Sequence, residues 1–336
     1  METQKVAVVI LNWNGKSWLE KFLPNTISKS QSADIYVVDN ASSDDSVDFI
    51  EKNFKSVKII RHKSNYGYAQ GYNLALKKID CEYYVLLNSD IEVTDNWISS
   101  VIDLMDSDQS ISACQPKILD YNDKSRFEYA GASGGYLDRF GYPFCRGRIF
   151  DSLEKDLGQY NSISEVFWAT GACLFVRSSH FWKVDGLDID FFAHQEEIDL
   201  CWRLKNNGYK VMVEPKSEVY HVGGGTLDAG SPFKTYLNFR NNLCMLFKNL
   251  PLPYLFSIIP IRLVLDGIAA LTFLNKKHGF SHLFSIFKAH FSFYFQLPNL
   301  IKKRMKINQK YSHTGKMNYS ILFKSKIKGI KSLSSL

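Results

Sequence analysis

Acidic residues are almost missing from the last third of this 336-residue chain. From Ala229 to Leu336, Asp266 is the one acid against 17 Lys and Arg, a local charge of +16. Met1 to Asp228 carries −9, and the whole chain +7. A segment so poor in acids is expected to meet phosphates, on anionic lipid or on nucleic acid. Its many Phe and Leu favour lipid, so nucleic acid is not an expected partner. Cysteine is sparse: six residues, with no CxxC pair and no Cys/His cluster at zinc spacing. That argues against a disulfide framework and for buried thiols in a reducing compartment. The first residues lack the apolar core and cleavage site of a signal peptide, and the N-terminal part is expected to face the cytoplasm. No GxGxxG follows a strand, which speaks against a dinucleotide cofactor. Gly15-Lys16-Ser17 resembles the end of a P-loop, but the earlier glycine that motif needs is Ile10. No internal repeat is evident.

What is present is a core-forming composition, 45% hydrophobic and 22% charged. Continuous apolar runs at Val6–Leu11, Ile35–Val38, Val57–Ile60, Tyr83–Leu87 and Ile111–Ala113 suit strands buried on both faces. Helical patterns alternate with them at Trp18–Ser28 (bent or split by Pro24), Ser46–Phe54, Ala69–Lys78 and Asn96–Met105. This is the pattern of a mostly parallel sheet with helices on both faces, an α/β fold. Ligands bind such sheets beyond the carboxyl ends of the strands. Further on, residues 121–165 suggest long loops or a hairpin. Trp168–Arg177 suggests a strand broken by Gly171, Glu197–Lys205 a helix, and Val211–Val213 a short strand. Pro251–Leu274 is long and apolar enough to cross a bilayer, but Arg262 and Asp266 interrupt it and could pair at i, i+4. Beside it stand a Phe-rich segment and ten Lys and Arg from Ile301 onward. The expectation is a C-terminal, basic, largely helical region on an anionic membrane surface.

Five clusters fall where a ligand should sit. Asp39, in VVDNASSD, stands at a strand end and could accept an imide N–H of uracil or thymine; Asp and Ser also favour ordinary turns. Asn88-Ser89-Asp90 brings an amide and an acid to the end of a very apolar strand, which suits a hard divalent cation shared with phosphates, or a simple cap. Asn65 to Asn73 carries glycines, Gly71 among them, that let backbone approach a ligand. Glu196, Glu197 and Asp199 crowd a helix start. The helix dipole and an Asp199–Arg203 pair explain Asp199, but adjacent Glu196 and Glu197 are explained less well, and one could be a general base. Their 100° separation around a helix should turn Glu196 to another surface. His221, before a glycine run, could ligate a metal, although a lone His is more often structural.

Together the motifs ILNWNG, VVDNAS, NxGxxxGxN, LLNSD, EEIDLCWR and HVGGG resemble those of the family 2 glycosyltransferases, in the rhamnosyltransferase-like branch that builds lipopolysaccharide and other surface polysaccharides. The resemblance spans roughly Val6 to Leu250, including Arg240-Asn241-Asn242. It implies a GT-A fold: a catalytic domain over 1–228, with donor and metal site in 1–120 and acceptor side in 121–228, followed by the region 229–336. It implies an NDP-sugar donor, UDP- or dTDP-linked, with dTDP-rhamnose among the candidates; a Mg²⁺ or Mn²⁺ cofactor; and a glycan or lipid-linked acceptor at the cytoplasmic face of the inner membrane. By position, Asp39 matches the base-recognising acid, Asn88-Ser89-Asp90 the metal motif with Asn in place of its first Asp, Glu197 the catalytic base and His221 a metal ligand. Asn12, Asn14, Asn65, Gly71 and Asn73 are expected to help bind the donor. Trp168, Gly171 and Arg146 are expected to help hold the acceptor, with Arg139 and Arg148 beside them. Two rivals are a non-catalytic nucleotide-sugar-binding protein, prompted by Asn88, and a sugar nucleotidyltransferase. The latter needs a Gly- and Arg-rich loop after the first strand, which Asn12 to Gly15 does not provide.

Overall fold

The computed structural model describes residues 5–223, 230–274 and 278–336. Gly224 and Gly225 of the late glycine run therefore lie outside the described residues. The chain runs β1 (Val6–Asn12), α1 (Lys16–Lys29), β2 (Ala33–Asp39), α2 (Ser46–Asn53), β3 (Lys58–Arg61), α3 (Gly67–Leu76), β4 (Tyr83–Leu87), β5 (Ile91–Val93), α4 (Ser99–Ser107) and β6 (Ile111–Asp120). Four short strands follow: β7 (Gly135–Leu137), β8 (Pro143–Cys145), β9 (Arg148–Ile149) and β10 (Ser152–Leu153). Then come β11 (Ser164–Glu165), β12 (Cys173–Arg177), α5 (Ser178–Lys183), a 3₁₀ turn at Ile189–Phe191, α6 (Glu196–Asn206) and β13 (Lys210–His221). The chain ends with α7 (Pro232–Asn249), α8 (Leu252–Phe273), α9 (Gly279–Arg304) and α10 (Ile321–Lys326).

Strand alternation explains the two cores. Val6, Val8 and Ile10 of β1 pack on one face of the sheet with Leu19 and Leu23 of α1. Ala7 and Val9 pack on the other with Ala69, Tyr72 and Leu76 of α3. The strand order is β3-β2-β1-β4-β12-β6-β13-β11, with β5 on β13. Strands β3, β2, β1 and β4 are parallel. Beyond them the sheet is mixed: β12 runs antiparallel to both β4 and β6, β13 runs parallel to β6, and β5 and β11 run antiparallel to β13. An apolar run such as Cys173–Arg177 says that a strand is buried, not which way it points. Direction comes from the connection, a long excursion through the four-stranded β7–β10 sheet. Trp168 to Ala172 is not part of β12. Pro24 does not split α1, which runs unbroken. The carbonyl deprived of its partner belongs to exposed Glu20, where water can replace the lost bond.

Residues 229–336 do not form a detachable appendage. Lys248 of α7 is buried between Asp188 and Asp199, the latter at 2.9 Å. Lys303 of α9 also meets Asp188, and meets Asp190 at 2.6 Å. Arg262 of α8 pairs with Asp266 at 3.2 Å, as their spacing suggested, and donates to the Phe140 carbonyl at 2.8 Å. The last residues fold back on the small sheet. Leu137 N–H donates to Gly315 O, Met317 N–H to Leu137 O, and Ile321 N–H to the Asp138 carboxylate at 2.9 Å. Truncation after Arg304 is therefore expected to destabilise the catalytic part.

The Lys248 and Lys303 pairs hold the Asp188 carboxyl well below its ordinary range against the opposing effect of burial. A depressed value means this stability is present above the ordinary carboxylate range and is lost as pH falls through the folded one. Asp188→Ala should cost about 3–5 kcal/mol, because Lys248 stays buried with one acid fewer. Urea unfolding at pH 7 measures the loss, and a wild-type midpoint would contradict it.

Candidate active site

A cleft of about 410 Å³ opens beyond the carboxyl ends of β1 and β4, a volume within the range of small-ligand sites. Asn65, Asn88, Asp90, Gly171, Glu196, Glu197 and His221 all line it.

At one part of the cleft, β4 delivers Asn88 and Asp90. Strand β13 brings His221 beside Ile91 of β5, and Val222 N–H donates to the Asp90 carbonyl at 3.1 Å. His221 Nε2 lies 3.1 Å from Asp90 Oδ1 and 3.4 Å from Asn88 Nδ2. On the ring's other side, Nδ1 stands 3.3 Å from Glu128 Oε1, within ion-pair distance but off the line of a good hydrogen bond. Glu128 is buried and was not singled out in the sequence. It lies in a long irregular stretch where spacing carries no signal. Burial disfavours a charged His221 ring, but bonding and charge from Asp90 and Glu128 overcome it and push the imidazole up to about 10.

Elsewhere in the cleft stand the two glutamates that open α6. The 100° step was expected to turn Glu196 away. Instead both side chains line the cleft, and each has one buried carboxylate oxygen, Oε2, without a hydrogen-bond partner. Burial, and then the neighbouring Glu197 charge, hold Glu196 well above its ordinary value. Burial pushes Glu197 up to about 7. Asp199 is fully buried and taken up by Arg203 at 2.8 Å, Lys248 and Asn249, a structural role. The segment before α6 is strained: Phe192, His194 and Gln195 all have positive φ, at 64°, 70° and 72°. Such non-glycine residues cost about 1–3 kcal/mol each and persist only where their surroundings hold them.

The remaining expected residues divide. Asn12 lies buried beneath the cleft, donating to Ser42 Oγ at 3.2 Å. Asn14 Oδ1 accepts from Ser43 N–H at 2.7 Å and shapes the facing turn. Asp39 sits buried at the end of β2 opposite Asn12, accepting from Ser42 N–H. Gly71 packs α3 against Leu11. The buried Asn73 amide bonds both Leu187 N–H and Leu187 O. Trp168 does not line the cleft. Its ring lies buried against Gly135, with Nε1 donating to Tyr136 O at 3.1 Å. Arg146 is buried against Tyr160, and Arg148 donates to Phe150 O, so neither offers a basic surface to an acceptor. Trp13, Trp18, Tyr68, Phe192, His194 and Phe233 line the cleft without having been singled out. Trp13, an exposed indole just after a buried strand, was the legible signal among them.

A Rossmann-like sheet with a cleft at its carboxyl edge is common to many α/β folds; its likeness to solved structures makes this one a GT-A-like glycosyltransferase fold. The mannosyltransferase PcManGT from Pyrobaculum calidifontis, solved with GDP-Man and Mn²⁺, superposes with a TM-score of 0.52 at 13% identity, covering 91% of this chain and 85% of that one. GalNAc-T7, solved with UDP, GalNAc and Mn²⁺, gives 0.58 at 16% identity over 75% of this chain, which spans about half (49%) of that one. At these identities the likeness shows the fold. Residues 7–171, just under half of the chain, match the model described as Glycosyl transferase family 2, so the chain carries a domain of that family. Similar curated proteins include the N-acetylglucosaminyl-diphospho-decaprenol L-rhamnosyltransferase of Mycobacterium tuberculosis, 22% identical over 65% of this chain and 76% of that protein. Rhamnosyltransferase WbbL of Escherichia coli is 25% identical over 64% of this chain and 83% of that protein.

His221 makes the site testable without substrate. Its folded value exceeds the ordinary 6.5. The stability it contributes is complete below about that pH and is lost as pH rises through about 10. NMR titration of the metal-free protein should find the ring charged at pH 8, and Glu128→Gln should lower its midpoint. A ring neutral at pH 8 in the wild type would contradict the arrangement.

Proposed function

We propose that the chain is an inverting glycosyltransferase of surface-polysaccharide synthesis. It moves a sugar, rhamnose by analogy with its relatives, from a UDP- or dTDP-linked donor to a hydroxyl of a lipid-linked glycan at the cytoplasmic membrane surface. The observation that carries this reading is the joint presence, in one cleft at the carboxyl edge of the sheet, of a carboxyl poised near pH 7 and an Asp90–His221 pair.

Glu197 takes the proton of the acceptor hydroxyl as that oxygen attacks the anomeric carbon. The new C–O bond forms while the bond from that carbon to the diphosphate breaks, and the nucleoside diphosphate leaves with the electron pair. Asp39 and the turn held by Asn12 and Asn14 stand where the donor's base would lie, and Asn65 with the start of α3 lies beside the sugar and phosphates. The Asp90 carboxylate and the His221 imidazole suit a divalent cation, since they converge within 3.1 Å on the cleft. Among the described residues no group of three or more His, Cys, Asp or Glu side chains is placed to hold a metal. Such a cation, Mg²⁺ or Mn²⁺, would rely on the donor's phosphates for further oxygens. When bound it supplies positive charge to the departing diphosphate. Gly171 lines the acceptor side, where a Cβ would press on the Tyr68 hydroxyl at 2.8 Å.

Helices α8 and α9 support attachment to the membrane. Helix α8 is long and apolar enough to cross a bilayer. Its Leu255, Ile258, Arg262, Asp266 and Ala270 are nevertheless buried, while Phe256, Val264, Ile268 and Leu271 face outward. Phe280, Phe284, Phe287, Phe291 and Phe295 extend the exposed apolar surface along α9. A helix with a buried ion pair on one face and lipid-compatible residues on the other lies along the interface. Flotation with anionic vesicles should recover the protein, and Phe284→Glu with Phe295→Glu should release it. Resistance of the double variant to release would sink this attachment.

Glu197→Gln should leave donor affinity nearly unchanged and lower transfer by about 10²–10⁴. A base with its carboxyl at about 7 is ionised only above that pH, so the wild-type rate should climb with pH through 7. If Glu196→Gln shows the large loss instead, Glu196 is the base. If both variants keep wild-type rates, the reading fails. Asp90→Ala should remove metal-dependent donor binding, measured by calorimetry.

A further inference from the structure

The turn that leads into Glu196 and Glu197 has a conformation that ordinary residues avoid. Phe192 adopts φ 64° and ψ −62°, with Ala193 N–H donating to Phe191 O at 2.7 Å. That is the γ-turn of positive φ, rare and strained. His194 and Gln195 follow in the left-handed region, and α6 starts at the next residue. Three consecutive side chains of α7 hold this backbone. Arg240 donates to the carbonyls of Asp190 and Phe191 at 2.9 and 3.0 Å. The fully buried Asn241 amide donates toward the carbonyls of Phe191, Ala193 and His194 at 3.0, 2.9 and 2.7 Å. Asn242 donates to the Gln195 side chain at 3.1 Å. Arg240 Nε in turn donates to Asn241 Oδ1, and Arg262 to Asn242 Oδ1, which fixes the direction of both amides. From the opposite side, Tyr68 N–H donates to Phe192 O at 2.7 Å.

We propose that Arg240, Asn241 and Asn242 form a positioning clamp, which holds residues 190–195 in their strained course and so sets where Glu196 and Glu197 stand in the cleft. The residues act through the turn and do not touch the reacting atoms. A strained turn persists only while its surroundings over-determine it. Asn241, with carbonyls on both sides of the γ-turn within its reach, is the member whose loss frees most of that backbone. The proposal rests on the reading of an α6 glutamate as base.

The test uses the full-length chain on vesicles with Asn241→Asp, which keeps the size of the side chain and removes its N–H donors. Glu197→Gln serves as the reference. Amide hydrogen exchange should rise across 190–199 and stay unchanged in Tyr83–Leu87, marking local release rather than global unfolding. The kcat should fall by about 10²-fold, the loss that a small misplacement of a reacting group produces. Donor KM should stay within about twofold, because the donor is bound elsewhere in the cleft. Unchanged exchange in 190–199 overturns the clamp, as does raised exchange with a wild-type kcat. Exchange raised equally in Tyr83–Leu87 assigns Asn241 to general stability and also overturns it. Should Asn241→Asp fail to fold, Arg240→Lys is read by the same criteria, since it keeps the charge and loses the guanidinium fork. If Glu197→Gln keeps full transfer, its assignment as base fails on its own, while the exchange result still decides whether the turn is clamped.

Discussion

A buried cation stands at the junction on which the molecule depends. Lys248 is 1% exposed, yet it lies between the carboxylates of Asp188 and Asp199. A charge so deep is tolerable only when paired. Each acid belongs to a different part: Asp188 begins the strained turn, and Asp199 lies in the first turns of α6. Lys248 belongs to α7, and Lys303 brings α9 to the same Asp188. One ionic knot thus ties the turn, the glutamate-bearing helix and two C-terminal helices together. The helices α7 and α9 are therefore tied to the elements that line the cleft.

That knot explains why strain can be kept beside the cleft. Phe192, His194 and Gln195 have no glycine freedom, and their conformation is carried by the bonds of Arg240 and Asn241 and by the buried ion pairs beneath. The benefit lies at the start of α6. Both neighbouring glutamates reach the cleft there, where burial raises their carboxyls. Across the same cavity the charge logic reverses. His221 is held charged by two acids, so the site sets groups of opposite protonation tendency side by side.

The outward face of α8 and α9 belongs to the same architecture. Arg262 anchors α8 by reaching Phe140 O, Asp266 and Asn242, the last a member of the run that steadies the turn. The face opposite Arg262 is left apolar and uncovered, with Phe256 and Phe295 among its most exposed side chains. This extended apolar surface, on a chain that also bears a basic tail, is the ground of the proposed attachment to lipid.

Much of this was legible in the linear chain. Apolar runs marked β1, β2, β4 and the start of β6 because burial on both faces leaves no polar alternation to find. Asn88, Asp90, Glu196, Glu197 and His221 stood out because their clusters fall where such a sheet binds its ligands, beyond the carboxyl ends of the strands. The i, i+4 spacings of Asp199–Arg203 and Arg262–Asp266 were local facts, and both pairs form. Direction and depth were not local. The antiparallel course of β12 depends on where a long excursion re-enters the sheet. Burial of Trp168, Arg146 and Asn73 depends on neighbours from distant segments, so side chains that look ready for a ligand are spent on Tyr136, Tyr160 and Leu187. Glu128 entered the site from a stretch without period, and the turn before α6 took left-handed angles that no residue in it prefers. Residue type and periodicity therefore determined which segments are buried and which groups could react. Only the tertiary structure decided which of those groups share a cleft, because contacts far apart in the chain supply the energy that holds them there.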